Sequence, residues 1–215
     1  MKIEKSKPMR ELVYEELKRL IIDGEIEAGE RIVETDYAQK FQISRTPIRE
    51  AIRMLELEGF IESQPKGGVI VKEIGKEDIE EIYRIRIALE GIIIDEVIKK
   101  VTAKDMRKLT RLMEDTEDLL EDHEDGKEVF KLFSEFNKIL YDIAKLERVE
   151  DMITNIKLYL SRFRRIAVEN DERRRVAFED HKAIVEAIRE KDEKKAGKLN
   201  REHLEKSKNF IIKEL

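Results

Sequence analysis

The sequence predicts a mainly α-helical protein that is divided into two domains. Residues 44–71 combine a helix with one basic face, a glycine that ends this helix and a short hairpin. From residue 76 to residue 215, apolar residues recur at helical spacing with only short charged breaks. We therefore expect a small mixed domain at residues 1–73 and an all-helical bundle at residues 76–215.

The helix that carries the basic face is expected to begin near Arg45. Its basic stripe consists of three arginines at four-residue spacing, Arg45, Arg49 and Arg53. The opposite stripe is apolar and consists of Ile48, Ile52 and Leu55. Pro47 fits only in the first helical turn, and Ser44 or Thr46 can supply a capping hydroxyl. One face of this helix therefore packs, and the other is offered to an anionic partner.

The segments on either side of this helix complete a winged helix-turn-helix unit. They are a helix at Met9–Ile22, a turn at residues 25–31, a short helix at residues 35–41 and strands at residues 60–63 and 69–71. Lys66, Gly67 and Gly68 form the tip of the hairpin. Spaced arginines are often only a solvated face, but here they share one continuous pattern with a proline, capping residues and a hairpin. We therefore favour a DNA-reading surface.

The composition limits the classes of protein that fit this chain. Its 215 residues carry a net charge of −5, so a local basic patch rather than a global basic field must hold nucleic acid. Cysteine is absent, no apolar run approaches the ~20 residues of a membrane span, and the N-terminus lacks a signal-peptide core. We expect a cytoplasmic protein without a membrane partner. We also expect no enzyme, because the sequence has no nucleophile elbow, phosphate-binding loop, dinucleotide fingerprint or zinc-protease motif.

The second domain is expected to follow a linker at residues 72–75. Its predicted helices lie at residues 76–101, 106–122, 127–144, 147–169, 172–189 and 193–214. Several of them are long enough to enclose a cavity. Arg86 falls within the apolar stripe of the first of these helices, where an unpaired cation is costly. We therefore expect a carboxylate partner for Arg86, either on a ligand or on a glutamate of the chain.

Two histidines of the bundle are placed to meet. His181 and His203 lie at about equal distances from the expected turn Lys191-Asp192, so they face each other across an antiparallel helix hairpin. Two facing imidazoles suit a divalent metal such as Zn, Ni or Mn. Each histidine can also be a packing residue with one hydrogen bond, and the spacing alone favours that interpretation.

The first domain resembles the GntR-type bacterial transcription regulators over about residues 9–71. The resemblance rests on the turn between Gly24 and Gly29, on the segment SRTPIREAI and on Glu58-Gly59 before the hairpin. The operator contacts that it implies are Ser44, Arg45, Thr46, Arg49 and, in the minor groove, Gly67. Arginine forks read guanine edges or phosphates, and a glycine lets the backbone come close.

Two positions of this surface need separate comment. We add Arg53 and Lys66 to the DNA-binding set, because they continue the arginine stripe and the hairpin tip. The second helix begins Glu34-Thr35, where some relatives place an arginine. We therefore do not count a contact from that helix.

The second domain resembles the FCD-type helical effector domain of the FadR-like branch of GntR regulators. The resemblance rests on YRIRIALE, FSEFNKILYDIA, EDHKAIVEAIREKD and REHLE. Many members bind a metal through an Asp and a His four residues apart on one helix, together with two later His. His181 and His203 match the later pair, whereas Phe133 and Asn137 occupy the positions of the earlier pair.

Two outcomes are open for this pocket. In the first, His181, His203 and Asn137 hold a divalent metal that water or a ligand carboxylate completes. In the second, the pocket contains no metal and binds an organic ligand through Arg86, Asn137, His181 and His203.

The two resemblances together imply a ligand-responsive transcription regulator that binds double-stranded operator DNA as a homodimer. A small metabolite, expected to be a carboxylate, binds the bundle, and the linker at residues 72–75 changes the spacing of the two DNA-binding domains. In the alternative, the helical domain only dimerises and holds neither ligand nor metal.

Overall fold

The computed structural model describes residues 7–65, 67–121 and 126–215, which form two compact units. The first unit comprises Met1–Ile74 and the second comprises Gly75–Leu215. No helix in these described stretches combines the length and the apolarity needed to cross a membrane.

The first unit contains three helices and a small antiparallel sheet among its described residues. Its elements are α1 (Met9–Ile22), β1 (Arg31–Ile32), α2 (Glu34–Lys40), α3 (Arg45–Leu57), β2 (Ile61–Ser63) and β3 (Val69–Val71). The sheet order is β1-β3-β2, so β3 lies in the middle. Helices α1 and α3 pack together and bury Leu17, Ile48 and Leu55 completely. This apolar contact fixes which face of α3 is turned outward.

The structure confirms the predicted start of α3 at Arg45 and differs in three local features. The Ser44 hydroxyl makes no capping hydrogen bond, although Ser44 occupies the N-cap position in extended conformation. Strand β1 lies at the end of the segment that we expected to be a turn, because Arg31 and Ile32 pair with Ile70 and Val69 of the hairpin. The short helix α2 begins one residue before the predicted range.

The second unit is a helical bundle. Its elements are α4 (Lys76–Lys100), α5 (Ala103–Glu121), α6 (Gly126–Ala144), α7 (Glu147–Leu160), the 3-10 turn Ser161–Phe163, α8 (Arg164–Glu169), α9 (Asp171–Arg189) and α10 (Glu193–Glu214). Helix α4 packs on α6, α7 and α10, and α9 packs on α5 and α10. The core between them is dominated by buried aliphatic and aromatic side chains such as Ile93, Phe136, Leu140 and Ile184.

The prediction of one continuous helix at residues 147–169 was wrong. The helix is interrupted by the 3-10 turn Ser161–Phe163, where the Ser161 hydroxyl donates to the carbonyl oxygen of Leu158. A serine hydroxyl that bonds the backbone of its own helix competes with the regular helical ladder. The interruption places Leu160, Ser161 and Phe163 along one wall of a cavity.

Candidate DNA-binding face and ligand pocket

The outer face of α3 carries the side chains that the sequence singled out. Ser44, Arg45, Thr46, Arg49 and Arg53 are all exposed. The opposite face is buried and consists of Ile48, Ala51, Ile52 and Leu55. An apolar anchor on one side and guanidinium groups on the other allow α3 to be held rigidly while it presents arginine forks to an anionic partner.

Glu34 of α2 organises two of these arginines, which the sequence did not reveal. Its carboxylate accepts hydrogen bonds from Arg49 Nε at 3.0 Å, from Arg49 Nη2 at 2.9 Å and from Arg45 Nη2 at 2.9 Å. The hydrogen bonds from Arg49 and then from Arg45 lower the pKa of Glu34 to about 2. Helix α2 therefore contributes an acidic side chain to this face.

The hairpin tip between β2 and β3 is built around two glycines. Gly67 and Gly68 have φ values of +84° and +92°, a region that favours glycine. Arg31 of β1 donates from Nη2 to the Gly67 carbonyl oxygen at 3.2 Å, and a Cβ atom at Gly68 would lie 2.6 Å from the same nitrogen. Arg31 is thus a further cation at the wing. The predicted contact Lys66 lies outside the described residues.

The second unit contains a cavity of about 470 Å³. Helices α4, α6, α7, α9 and α10 all contribute to its wall. Its volume falls within the range of about 300–1,000 Å³ that is typical of small-molecule sites. The predicted pocket residues Arg86, Asn137, His181 and His203 all line it.

His181 and His203 meet across the α9–α10 hairpin, with their ring centroids 4.7 Å apart. Phe136 stacks on His181 at 4.2 Å, and Phe133 meets the same ring edge-on at 4.8 Å. Burial lowers the pKa of both imidazoles. His203 Nδ1 lies 3.2 Å from the Asp180 carboxylate, so the neutral ring donates its proton there.

The donor atoms around these histidines do not fit a metal site. Among residues 7–65, 67–121 and 126–215, no group of three or more His, Cys, Asp or Glu side chains is arranged to hold a metal ion. Phe133 puts a phenyl ring at the position where the resemblance implies an aspartate. Asn137 donates from Nδ2 to the Phe133 carbonyl oxygen at 2.8 Å, which leaves only a neutral amide oxygen. Two imidazoles and an amide oxygen thus offer a divalent cation no carboxylate, and an amide oxygen is a weaker ligand than the aspartate and histidine that the resemblance implies.

Arg86 finds its carboxylate partner on its own helix. Its Nε lies 3.5 Å from Glu90 Oε1, and the Tyr141 hydroxyl donates to the same oxygen at 2.9 Å. Lys157 Nζ donates to the Tyr141 hydroxyl at 2.7 Å. Burial acts to lower the pKa of Arg86, but the interactions with Glu90, Tyr83 and Tyr141 together outweigh it and the net shift is upward. The carboxylate partner expected for Arg86 is thus a glutamate of the chain, and the negative charge of Glu90 offsets the positive charge of Arg86.

Arg173 is a pocket residue that the sequence analysis missed. Its Nη2 donates to the Ser207 hydroxyl at 2.6 Å, while its Nη1 is buried without a hydrogen-bond partner among the described residues. Burial lowers its pKa. Arg173 stands in the run Arg173-Arg174-Arg175 at the start of α9, which gives no sign of which arginine turns inward. Its spacing of eight residues before His181, about two helical turns, is the only available signal.

The fold and these two surfaces define a winged helix-turn-helix DNA-binding protein with a helical regulatory domain. The family described as "Bacterial regulatory proteins, gntR family" matches residues 9–71, and the FCD domain matches residues 81–206. The chain belongs to the GntR family of transcriptional regulators and carries an FCD domain. Both resemblances expected from the sequence are confirmed.

Two relatives agree with this assignment, and one solved structure shares the fold. The chain is 29% identical over 195 residues to the "Uncharacterized HTH-type transcriptional regulator YdhC" of Bacillus subtilis (strain 168). The matched region covers 91% of this chain and 87% of that protein. It is 24% identical over 200 residues to the "HTH-type transcriptional repressor RspR" of Escherichia coli (strain K12), covering 93% and 87%. The solved structure of E. coli McbR/YncC superposes with a TM-score of 0.73 at 21% identity, covering 97% of this chain and 99% of that one.

Proposed function

We propose that this regulator reads operator DNA with the outer face of α3 and the adjacent hairpin, and that Ser44, Arg45, Thr46, Arg49 and Arg53 make the contacts. The observation that carries the proposal is the exposed arginine stripe on a helix whose other side is anchored in the core. Arginine forks that project from an anchored helix suit guanine edges in the major groove. Gly67 at the hairpin tip, together with Lys66, which precedes it in the sequence, is proposed to reach the neighbouring minor groove.

The test uses a duplex selected in vitro with the full chain. Arg49→Ala is expected to weaken binding by a factor of roughly 10 to 100 in fluorescence anisotropy and to relax the base preference at one position. The matched control is Arg189→Ala, an exposed arginine of α9 in the other unit. Unchanged operator affinity of the Arg49 variant would remove its assigned role.

The same proposal includes a homodimer that forms through the second unit. Ile85 and Ile92 are seven residues apart on α4, and 46% and 45% of their surfaces are exposed. Met152 on the adjacent helix α7 is 55% exposed. Large apolar side chains exposed together favour a second copy of the chain, and two copies supply the paired half-sites that operator recognition needs.

Light scattering tests the dimer directly. Ile92→Glu is expected to give a monomer, because a charge at an apolar interface is left without a partner. Val176→Glu on α9, also an exposed apolar position, is the control and is expected to remain dimeric. A wild-type monomer, both alone and with operator DNA, would contradict this part of the proposal.

The pocket of the second unit is proposed to hold a small carboxylate effector. Its volume and its convergent polar side chains support this function over a helical domain that only dimerises. A ligand that prefers one arrangement of the bundle shifts operator occupancy through residues 72–75. In a thermal-shift screen of carboxylic acids, a stabilising compound should also change operator affinity. The dimerisation-only alternative predicts neither effect.

A further inference from the structure

The charges that line the pocket are not balanced. Glu90 offsets Arg86, and the Asp180 carboxylate accepts from His203 and Lys206. Arg173 has no carboxylate within 4.0 Å of its nitrogen atoms among the described residues. Arg86 and Arg173 nevertheless lie close enough together that both act on the Tyr83 hydroxyl, opposing the burial that raises its pKa. The pocket therefore holds a local excess of positive charge.

Three buried side-chain nitrogen atoms of residues that line this pocket also lack a hydrogen-bond partner among the described residues. They are Arg173 Nη1, Arg174 Nε and His181 Nδ1, and His181 is only 3% exposed. A buried donor without a partner is costly, and a buried cation without a counter-ion is more so. The charge of Arg174 is nevertheless paired, because its Nη2 lies 3.1 Å from the Asp171 carboxylate and its Nη1 donates to the Val168 carbonyl oxygen. All three atoms belong to residues of α9 that line the cavity.

The remaining wall of the cavity is strongly aromatic. The rings that line it include Tyr83, Phe130, Phe133, Phe163 and Phe210. The ring of Phe210 lies 6.0 Å from the guanidinium carbon of Arg173, so the cation is bordered by an aromatic face. A ligand that satisfies both regions has an anionic head and an apolar, preferably aromatic, body.

We propose that the pocket binds an aromatic carboxylate without a metal, with the carboxylate held by the Arg173 guanidinium beside His181 and the ring packed among the phenylalanines. The inference rests on the proposed ligand-binding function of the second unit and goes further by naming the anchor and the ligand class. Arg173 provides the positive charge that a metal ion would supply in a site with a complete ligand set. A bidentate arginine–carboxylate contact provides both charge and orientation.

The test is calorimetric titration of the full chain with phenylacetate in the presence of EDTA. Phenylacetamide has nearly the same shape without the charge, and acetate has the charge without the ring. We expect phenylacetate to bind at least about tenfold more tightly than either compound. Arg173→Gln should weaken phenylacetate binding by at least about tenfold, whereas Arg189→Gln on the same helix should leave it unchanged. Circular dichroism checks that each variant is folded.

Several results would overturn the proposal. They are binding that requires added Zn, Ni or Mn, equal binding of acetate and phenylacetate, equal binding by Arg173→Gln, or no binding of phenylacetate at millimolar concentration. If Arg173→Gln does not fold, Arg173→Lys retains the charge but loses the fork, and affinity equal to wild type would then refute the bidentate contact. Operator affinity, measured on the same preparations, separates these failures from a failure of the proposed function.

Discussion

Replacing Glu34 with glutamine tests whether this carboxylate orients Arg45 and Arg49 of α3 for the proposed contact with DNA. The substitution preserves the shape of the side chain but removes the negative charge of the carboxylate that accepts hydrogen bonds from Arg45 and Arg49. Both arginines are more than half exposed, at 57% and 55%, whereas Glu34 is 27% exposed. Exposed ion pairs contribute about 0.2–1 kcal/mol each, and solvent screens most of the free energy that the lowered pKa of Glu34 would otherwise represent, so the two contacts together should contribute about 1 kcal/mol to the free energy of unfolding.

The pH dependence follows from the pKa of Glu34. Its pKa is lowered from 4.5 to about 2 in the folded protein, so its stabilising contribution is complete above pH 4.5 and is lost as the pH falls through 2. The free energy of unfolding of the wild type should therefore exceed that of Glu34→Gln by a constant amount near neutral pH. The difference should shrink between pH 4.5 and pH 2, as measured by urea unfolding at each pH.

The effect on DNA binding has two parts of opposite sign. A negative charge about 8 Å from a phosphate repels it by about 0.5 kcal/mol in water, so its removal should strengthen binding to any sequence at low salt. The loss of the carboxylate that orients the two arginines should weaken operator binding by about 1 kcal/mol. The electrostatic gain applies to both duplexes, so the ratio of specific to nonspecific affinity should fall by about fivefold.

Fluorescence anisotropy with the selected operator and a scrambled duplex, over a range of KCl concentrations, measures this ratio. Glu16→Gln is the matched control, because Glu16 also accepts two hydrogen bonds from one arginine, Arg19 of α1, at 2.8 and 3.1 Å. A ratio that stays within twofold of wild type would refute the idea that Glu34 orients the arginines.

Three further predictions concern stability. Leu55→Ala should lower the free energy of unfolding by about 2–5 kcal/mol, and Leu57→Ala on the same helix should stay within about 0.5 kcal/mol, since these side chains are 0% and 89% exposed. Gly59→Ala should destabilise by about 1 kcal/mol because φ is +75°, as checked by urea unfolding. Gly197→Ala inside α10 should stabilise by about 0.5–1 kcal/mol, since a Cβ atom there would meet no atom within 4 Å, and a loss of stability would contradict this reasoning.

Features that depend on local periodicity could be predicted from the sequence. Apolar spacing placed helix α1 at Met9–Ile22 and located the start of α3, and the burial of Ile48 and Leu55 confirms the orientation of α3. The equal distances of His181 and His203 from the α9–α10 turn predicted that the two rings meet, and they do. These features need only the geometry of one helix or of one turn.

Features that depend on contacts between distant elements could not be predicted. Glu34 reaches Arg49 across the turn between two helices, and a glutamate at the start of a helix is otherwise explained by the helix dipole. The hydrogen bond from Tyr141 to Glu90 joins residues 51 positions apart in the sequence. Periodicity specifies which face of a helix is apolar, but it does not specify which polar group of a neighbouring helix a given side chain contacts.

The absence of the metal-ligand pattern that the resemblance implies can be tested by introducing it. Phe133→Asp together with Asn137→His would place an aspartate and a histidine on the face of α6 that lines the pocket with His181 and His203. Because Phe133 is 7% exposed, its removal should lower the free energy of unfolding by about 3–5 kcal/mol without metal. Added Zn or Ni should recover much of this loss, since binding to the folded state alone stabilises it. Asn137→His alone retains the phenyl ring and serves as the control. If wild type were stabilised by the same ions as strongly as the double variant, the argument that its donor set is deficient would fail.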